Sequence, residues 1–194
     1  MARPRTFDRD AALERAILVF WAKGFASTST EHLVEAMGIG RQSLYNTFGD
    51  KRQLYLEALE TYQRNSTAAH LKRLQGPASA LEGIQAMLLG LIAEDADVRS
   101  MGCMGVCAVN EFGTTDPALV KLREKASVQL RKKLLERLRA GQSAGEIDPD
   151  MRAEDATDFV LMTMTGLQSA ARAGAGSKAL QAMARFAADR LKPL

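Results

Sequence analysis

Between Thr28 and Phe48 the chain has room for two short helices and one tight turn, and for little else. Leu33, Val34 and Met37 recur at three- and four-residue spacing. Gly38 interrupts the period, Ile39 falls in the turn, and Leu44 and Phe48 resume it. A glycine at the break supplies the positive φ that such a turn demands, and a buried contact between Leu33 and Leu44 would fix the crossing angle. The spacing therefore predicts a helix-turn-helix, with Ser29 or Thr28 capping its first helix and the second beginning near Gly40–Arg41. Two helices this short cannot form a core alone. The segment Arg9–Lys23 offers the third, with Leu13, Ala16, Ile17 and Phe20 on one face. Asp8 and Asp10 stand at its start, Gly24 closes it, and Phe25 follows as a hydrophobic contact.

The remainder reads as more helix. Asp50 and Gln53 have capping-box spacing ahead of a fourth helix over residues 51–69. Further helices are expected over about 78–94, 102–111, 118–140, 152–173 and 177–192, with residues 95–101 as a loop. Asp116-Pro117 opens the long charged one, since proline suits the first helical position. Aromatic residues make up only 6%, so the core must rest on Leu, Ala, Met and Val. The first three are good helix formers. The fold class expected is all-α: an N-terminal three-helix domain over 1–50, and a second helical domain over 51–194.

The second helix of the turn motif carries Arg41, Gln42, Ser43, Tyr45, Asn46 and Thr47 on its outer side. Arg pairs with guanine, and Gln or Asn with adenine, when such a helix enters a major groove. Ser43 and Tyr45 suit phosphate oxygens, which set register without reading sequence. Lys51 adds a cation at a helix start, itself suited to phosphate. The bland alternative is a polar surface helix, and periodicity alone does not separate the two. Charge leans towards an anionic partner at this end. Residues 1–75 hold eleven Lys/Arg against eight Asp/Glu, whereas residues 76–194 balance at fifteen each. Arg3 and Arg5 form a short basic arm, either a groove contact or a terminus without a role.

Residues 12–59 resemble the DNA-binding domain of the TetR family of bacterial regulators. The run that carries the resemblance is Ala16, Phe20, Gly24-Phe25 and Thr28-Ser29, then Leu33, Ala36-Met37-Gly38-Ile39, Ser43-Leu44-Tyr45, Phe48, Lys51 and Leu54. Val34 stands where a small Ala is usual, and Thr47 where an aromatic is common. Carried over by position, the resemblance implies that Thr28, Arg41, Gln42, Ser43, Tyr45, Asn46 and Lys51 contact an operator in double-stranded DNA. It also implies an all-α homodimer whose C-terminal domain binds a small effector, with repression of transcription the expected output.

In the C-terminal part, residues 152–173 carry apolar stripes on more than one face, and Gly166 and Ala170 would admit a second helix closely. With residues 177–192 they are expected to form a symmetric four-helix interface between two copies. Seven of the nine methionines lie beyond residue 75. Met suits adaptable apolar pockets, so Met87, Met104, Phe112, Phe159 and Met162 are the expected effector pocket, joined by Cys103 and Cys107. Those two cysteines, four residues apart, either sense oxidants and electrophiles or only pack. His32 and His70 read as surface or interface residues. No cofactor or metal is implied, because no His or acidic cluster with zinc spacing accompanies the cysteines. No stretch is long and apolar enough for a membrane helix, and no signal peptide follows the N-terminus, so the cytoplasm is expected. No nucleophile–base–acid constellation or phosphate loop supports an enzyme. The rivals to an effector-controlled regulator are an architectural DNA binder without effector and an enzyme or carrier on a helical bundle.

Overall fold

A computed structural model describes residues 7–193. The Arg3/Arg5 arm lies outside the described residues. Among the described residues there are ten helices and no strand: α1 (Arg9–Lys23), α2 (Thr30–Met37), α3 (Arg41–Phe48), α4 (Lys51–Gln75), α5 (Ala80–Leu89), α6 (Ala96–Ser100), α7 (Met104–Phe112), α8 (Pro117–Ser143), α9 (Ala153–Arg172) and α10 (Ser177–Asp189). The boundaries follow local chemistry. The Asp8 carboxylate accepts from the amides of Asp10 and Ala11 to start α1. At α2 it is Ser29 that caps, and His32 completes the box: its Nδ1 accepts from the Ser29 amide while Ser29 Oγ accepts from the His32 amide. His32 is thus a capping residue. Gly38, at φ 67° and ψ 30°, holds the left-handed conformation that ends α2.

Two elements differ from the sequence expectation. Helix α4 runs on to Gln75, because no breaker precedes Gly76-Pro77 and Leu71 and Leu74 carry its apolar face into a second core. The expected 78–94 helix ends at Leu89. Leu91 and Ile92 turn in a short irregular stretch, and Asp95 caps a further helical turn, α6, by accepting from the Val98 amide. Arg99 clasps the break by donating to the carbonyls of Ala93 and Glu94.

Two apolar clusters form. One joins α1–α3 and the first half of α4 with Met104, Ala108 and Leu119. The other joins the second half of α4 with α5, α8, α9 and α10. A division at 50/51 therefore runs through the first core. Leu54, Tyr55, Ala58 and Leu59 of α4 are buried there, together with residues of α7 and α8. The junction at Asp50 is a helix cap rather than a gap between cores.

Candidate nucleic-acid interface

Leu33 and Leu44 are both fully buried and lock α2 against α3, while Phe20 and Phe48 close the cluster from α1 and from the end of α3. That packing leaves the other side of α3 in solvent. Tyr45 is 44% exposed although it is aromatic. Gln42 and Asn46, one turn apart, share a hydrogen bond from Gln42 Nε2 to Asn46 Oδ1 at 2.9 Å. Arg41 pairs with Glu31 of α2, both well exposed. Hydrogen bonds from its own backbone amide and from Ser29, reinforced by Arg41, hold the Glu31 carboxyl below its usual range. A pair this exposed contributes little to stability, so it is easily exchanged for another partner of Arg41. Lys51 stands at the start of α4 with Nζ 4.3 Å from the centre of the Phe25 ring. Arg41, Gln42, Ser43, Tyr45, Asn46 and Lys51 thus lie on or beside one surface.

Thr28 does not join them. It is 1% exposed, and its hydroxyl donates to the carbonyl of Gly24 at 2.6 Å. The inward hydroxyl closes the turn between α1 and α2, so the side chain is withdrawn from any phosphate at this surface.

The reading head, α1–α3 with the start of α4, is tied to the rest of the chain at several places, three of them reaching α7, α8 and the connection before α7. Glu111 of α7 accepts from the amides of Phe25 and Ala26 at 3.0 and 2.6 Å, gripping the α1–α2 turn. Trp21 of α1 donates from Nε1 to the carbonyl of Gly102 at 3.0 Å and packs edge-on against Tyr62 of α4. Arg52 pairs with Asp116, the cap of α8, at 2.7 Å. Trp21 and Glu111 gave no sequence signal beyond their identity, because each works across a long chain separation.

The residues expected to form an effector pocket are scattered. Met87 is buried in the second core and Met104 in the first. Phe112 packs on Phe25 and Tyr55. Phe159 and Met162 lie on the outside of α9, 40% and 72% exposed. Cys103 stands at the N-cap position of α7 without a side-chain cap bond and Cys107 follows one turn later, both as free thiols. Burial pushes the Cys107 thiol up, opposite to what activates a nucleophilic cysteine. The physical reason for the scatter is that Met fills ordinary core as readily as it lines pockets.

A partly open cavity of about 700 Å³ lies elsewhere, between α1, α4, the stretch 90–102 and Gln168 of α9. Its volume falls within the range of small-molecule sites. None of the seven expected residues lines it. His70 does. It is half-buried, its Nε2 shares a hydrogen bond with Ser66 Oγ at 3.0 Å, and its Nδ1 is buried without a partner among the described residues. Burial first, and then the charge of Arg73, push the His70 imidazole down to about 4, so it is neutral at physiological pH.

An all-helical chain that presents an exposed polar helix from a buried helix-turn-helix defines a DNA-binding protein of the helix-turn-helix class. Comparison with known proteins narrows the class. Residues 12–58 match the family described as "Bacterial regulatory proteins, tetR family". The HTH-type transcriptional regulator YezE of Bacillus subtilis (strain 168) is 35% identical over 149 residues, 76% of this chain and 77% of that protein. The HTH-type transcriptional repressor ComR of Escherichia coli (strain K12) is 30% identical over 94% of this chain and 88% of its own. Among solved structures, the TetR family transcriptional regulator CifR, as a cysteine mutant complexed with a 26bp double-strand operator DNA, superposes with a TM-score of 0.77. It is 31% identical, covering 98% of this chain and 100% of that one. The chain belongs to the TetR family and is a DNA-binding transcriptional regulator.

Proposed function

We propose that this regulator is a homodimeric, cytoplasmic repressor that holds a palindromic operator and releases it when a small, apolar or aromatic effector binds. In this reading α3 lies in the major groove. Gln42, Asn46 and Arg41 meet base edges, Ser43 and Tyr45 meet phosphates, and Lys51 anchors the flanking backbone.

The observation that carries the proposal is the outer face of α9 and α10. Phe159 and Met162 on α9 and Met183 and Phe186 on α10 stay in solvent in the single chain, although each is large and apolar. Gly166 continues the α9 row with open space beside it. An exposed apolar patch of this kind marks a contact surface, and two packed helices per chain suit a twofold four-helix interface. Repression rather than activation is supported by the relatives named as repressors, ComR and BdcR of Escherichia coli. The 26bp operator in the CifR complex is about two and a half turns of duplex, room for two recognition helices about one turn apart. An architectural binder would lack sequence preference, which the base-reading side chains of α3 argue against.

The test is selection of genomic fragments by the purified chain, followed by sedimentation velocity of protein and of complex. A palindromic consensus bound by two chains supports the proposal. Equal affinity for random duplex, or binding by a single chain, refutes it.

A further inference from the structure

One turn after another, α4 sends Tyr62, Ser66, Ala69, His70 and Arg73 to the wall of the 700 Å³ cavity. The span from Tyr62 to Arg73 is about 16 Å along a helix, and the two ends differ in character. At the first, Trp21 meets Tyr62 edge-on at 5.0 Å between ring centres, with Ile17 and Leu18 beside them. At the other, Ser66 holds the neutral His70 ring, whose Nδ1 is buried and unpartnered. Arg73 extends across Gly90, where an added Cβ would stand 2.2 Å from its Cδ and 2.8 Å from its Cζ. Arg73 forms no ion pair among the described residues, while Arg99, which lines the cavity from α6, is already engaged by two carbonyls.

We propose that this cavity is the effector site and that it takes an organic monocarboxylate, its apolar body between Trp21 and Tyr62 and its carboxylate at Arg73 beside His70. The assignment rests on the effector-release reading above and adds to it a place and a chemical class. Arg73 is a guanidinium without a protein carboxylate, and a carboxylate is the partner its planar fork matches best. Beside it the neutral His70 ring, tied to Ser66, adds no charge that would compete with the carboxylate. Glu14 also lines the cavity, from α1, and disfavours a second negative charge there, so a monoanion fits better than a dicarboxylate. The cavity touches both α1 and the C-terminal core, so an occupant contacts the reading head and the body at once. Its body lies against the ring whose Nε1 holds Gly102.

The chain has one tryptophan, and it lines this cavity, so its emission reports occupancy independently of DNA. The experiment titrates the full-length protein with 3-phenylpropionate, 4-phenylbutyrate and octanoate, and with the corresponding neutral amides. Trp21 emission and operator retention are followed in parallel. The expected result is a saturable change in emission with at least one carboxylate, at least tenfold weaker with its amide. In Arg73→Leu that preference disappears, and in Arg73→Lys it is largely restored. Arg73 is exposed, so both variants keep the fold. Emission change together with operator release supports the site and the release reading alike. Emission change with the operator retained supports the site and refutes release. Unchanged emission with every carboxylate up to millimolar concentration, or an equal response to the amides, overturns the proposal. Operator release by a different compound without any Trp21 response also overturns it, while leaving the release reading intact.

Discussion

Trp21 Nε1 reaches the carbonyl of Gly102 at 3.0 Å, so the first helix of the reading head is hydrogen-bonded to the connection that leads into α7, 81 residues further on. The indole ring also packs on Tyr62. Trp21→Phe keeps most of the ring contact and removes the donor, leaving the Gly102 carbonyl to find water. The expected cost is about 1 kcal/mol, a fall of about 2–4 °C in the melting temperature for a chain of this size. Calorimetry measures it, and an unchanged melting temperature would show that the hydrogen bond contributes nothing net.

Glu111 makes the second tie. Its carboxylate accepts from the backbone amides of Phe25 and Ala26. Glu111→Ala removes both acceptors at once. Hydrogen exchange should then speed up at those two amides by more than tenfold, while the amides within α1 stay protected. The effect on global stability is expected to be about 1 kcal/mol, because the group is exposed. Exchange followed residue by residue by NMR decides the matter.

The exposed side of α3 makes separable predictions. Tyr45→Ala should abolish operator binding and leave the sedimentation coefficient of the free protein unchanged. Gln42→Ala should cost about 1–3 kcal/mol against the preferred operator and relax preference at one base pair. Lys51→Ala should weaken all duplexes alike and lower the magnitude of the salt slope by about 0.9 per site. Thr28→Ser, by contrast, should leave the operator contacts untouched, since its hydroxyl is turned towards Gly24. A footprint unaffected by Tyr45→Ala would remove α3 from the interface.

The α9–α10 face is tested by Met162→Glu combined with Phe186→Glu. Both side chains are exposed in the single chain, so the double variant should fold. It should sediment as a monomer and bind the operator at least a hundredfold more weakly. A variant that sediments like the parent protein places the dimer contact elsewhere.

His70 gives a pH signature. Its folded pKa lies near 4, below the ordinary value of 6.5, because the ring is buried and Arg73 is close. The unfolded chain therefore binds a proton between pH 6.5 and 4 that the folded chain does not. The stability that this difference represents is fully present above about pH 6.5 and is lost as pH falls towards 4, at up to about 1.4 kcal/mol per pH unit. Exposed carboxylates such as Asp158, held low by Arg131, and Glu154, held low by its own backbone amide and then by Arg139, also cost stability as they protonate over part of the same range. The measurement is thus a difference between the parent protein and His70→Gln. Urea midpoints at pH 7 and pH 5 should diverge less in the variant, and an equal divergence would show that His70 is not the buried group responsible.

The reading head was legible because its determinants are local. Asp8, Ser29, Gly38, Asp50 and Gln53 act within a turn of where they stand, and Leu33, Leu44 and Phe20 declare their faces by spacing alone. The same local logic misjudged α4, where a helix that looked finished at Ala69 continued because Leu71 and Leu74 found a second core to enter. Amphipathic spacing says that a face is covered, not by what. Phe159 and Met162 therefore read as pocket residues and proved to be outer-face residues, while Met87 and Met104 proved to be plain core.

The helices, their caps and the polar surface of α3 follow from the sequence alone, all set by contacts within about four residues. Which distant groups meet came from the packing of whole helices: Trp21 with Gly102, Glu111 with Phe25 and Ala26, and the α4 row from Tyr62 to Arg73 with α1 across a cavity. The reason is physical. A hydrogen bond or a cavity wall between residues about 40–90 positions apart depends on how two whole cores dock against each other, and no spacing along the chain encodes that.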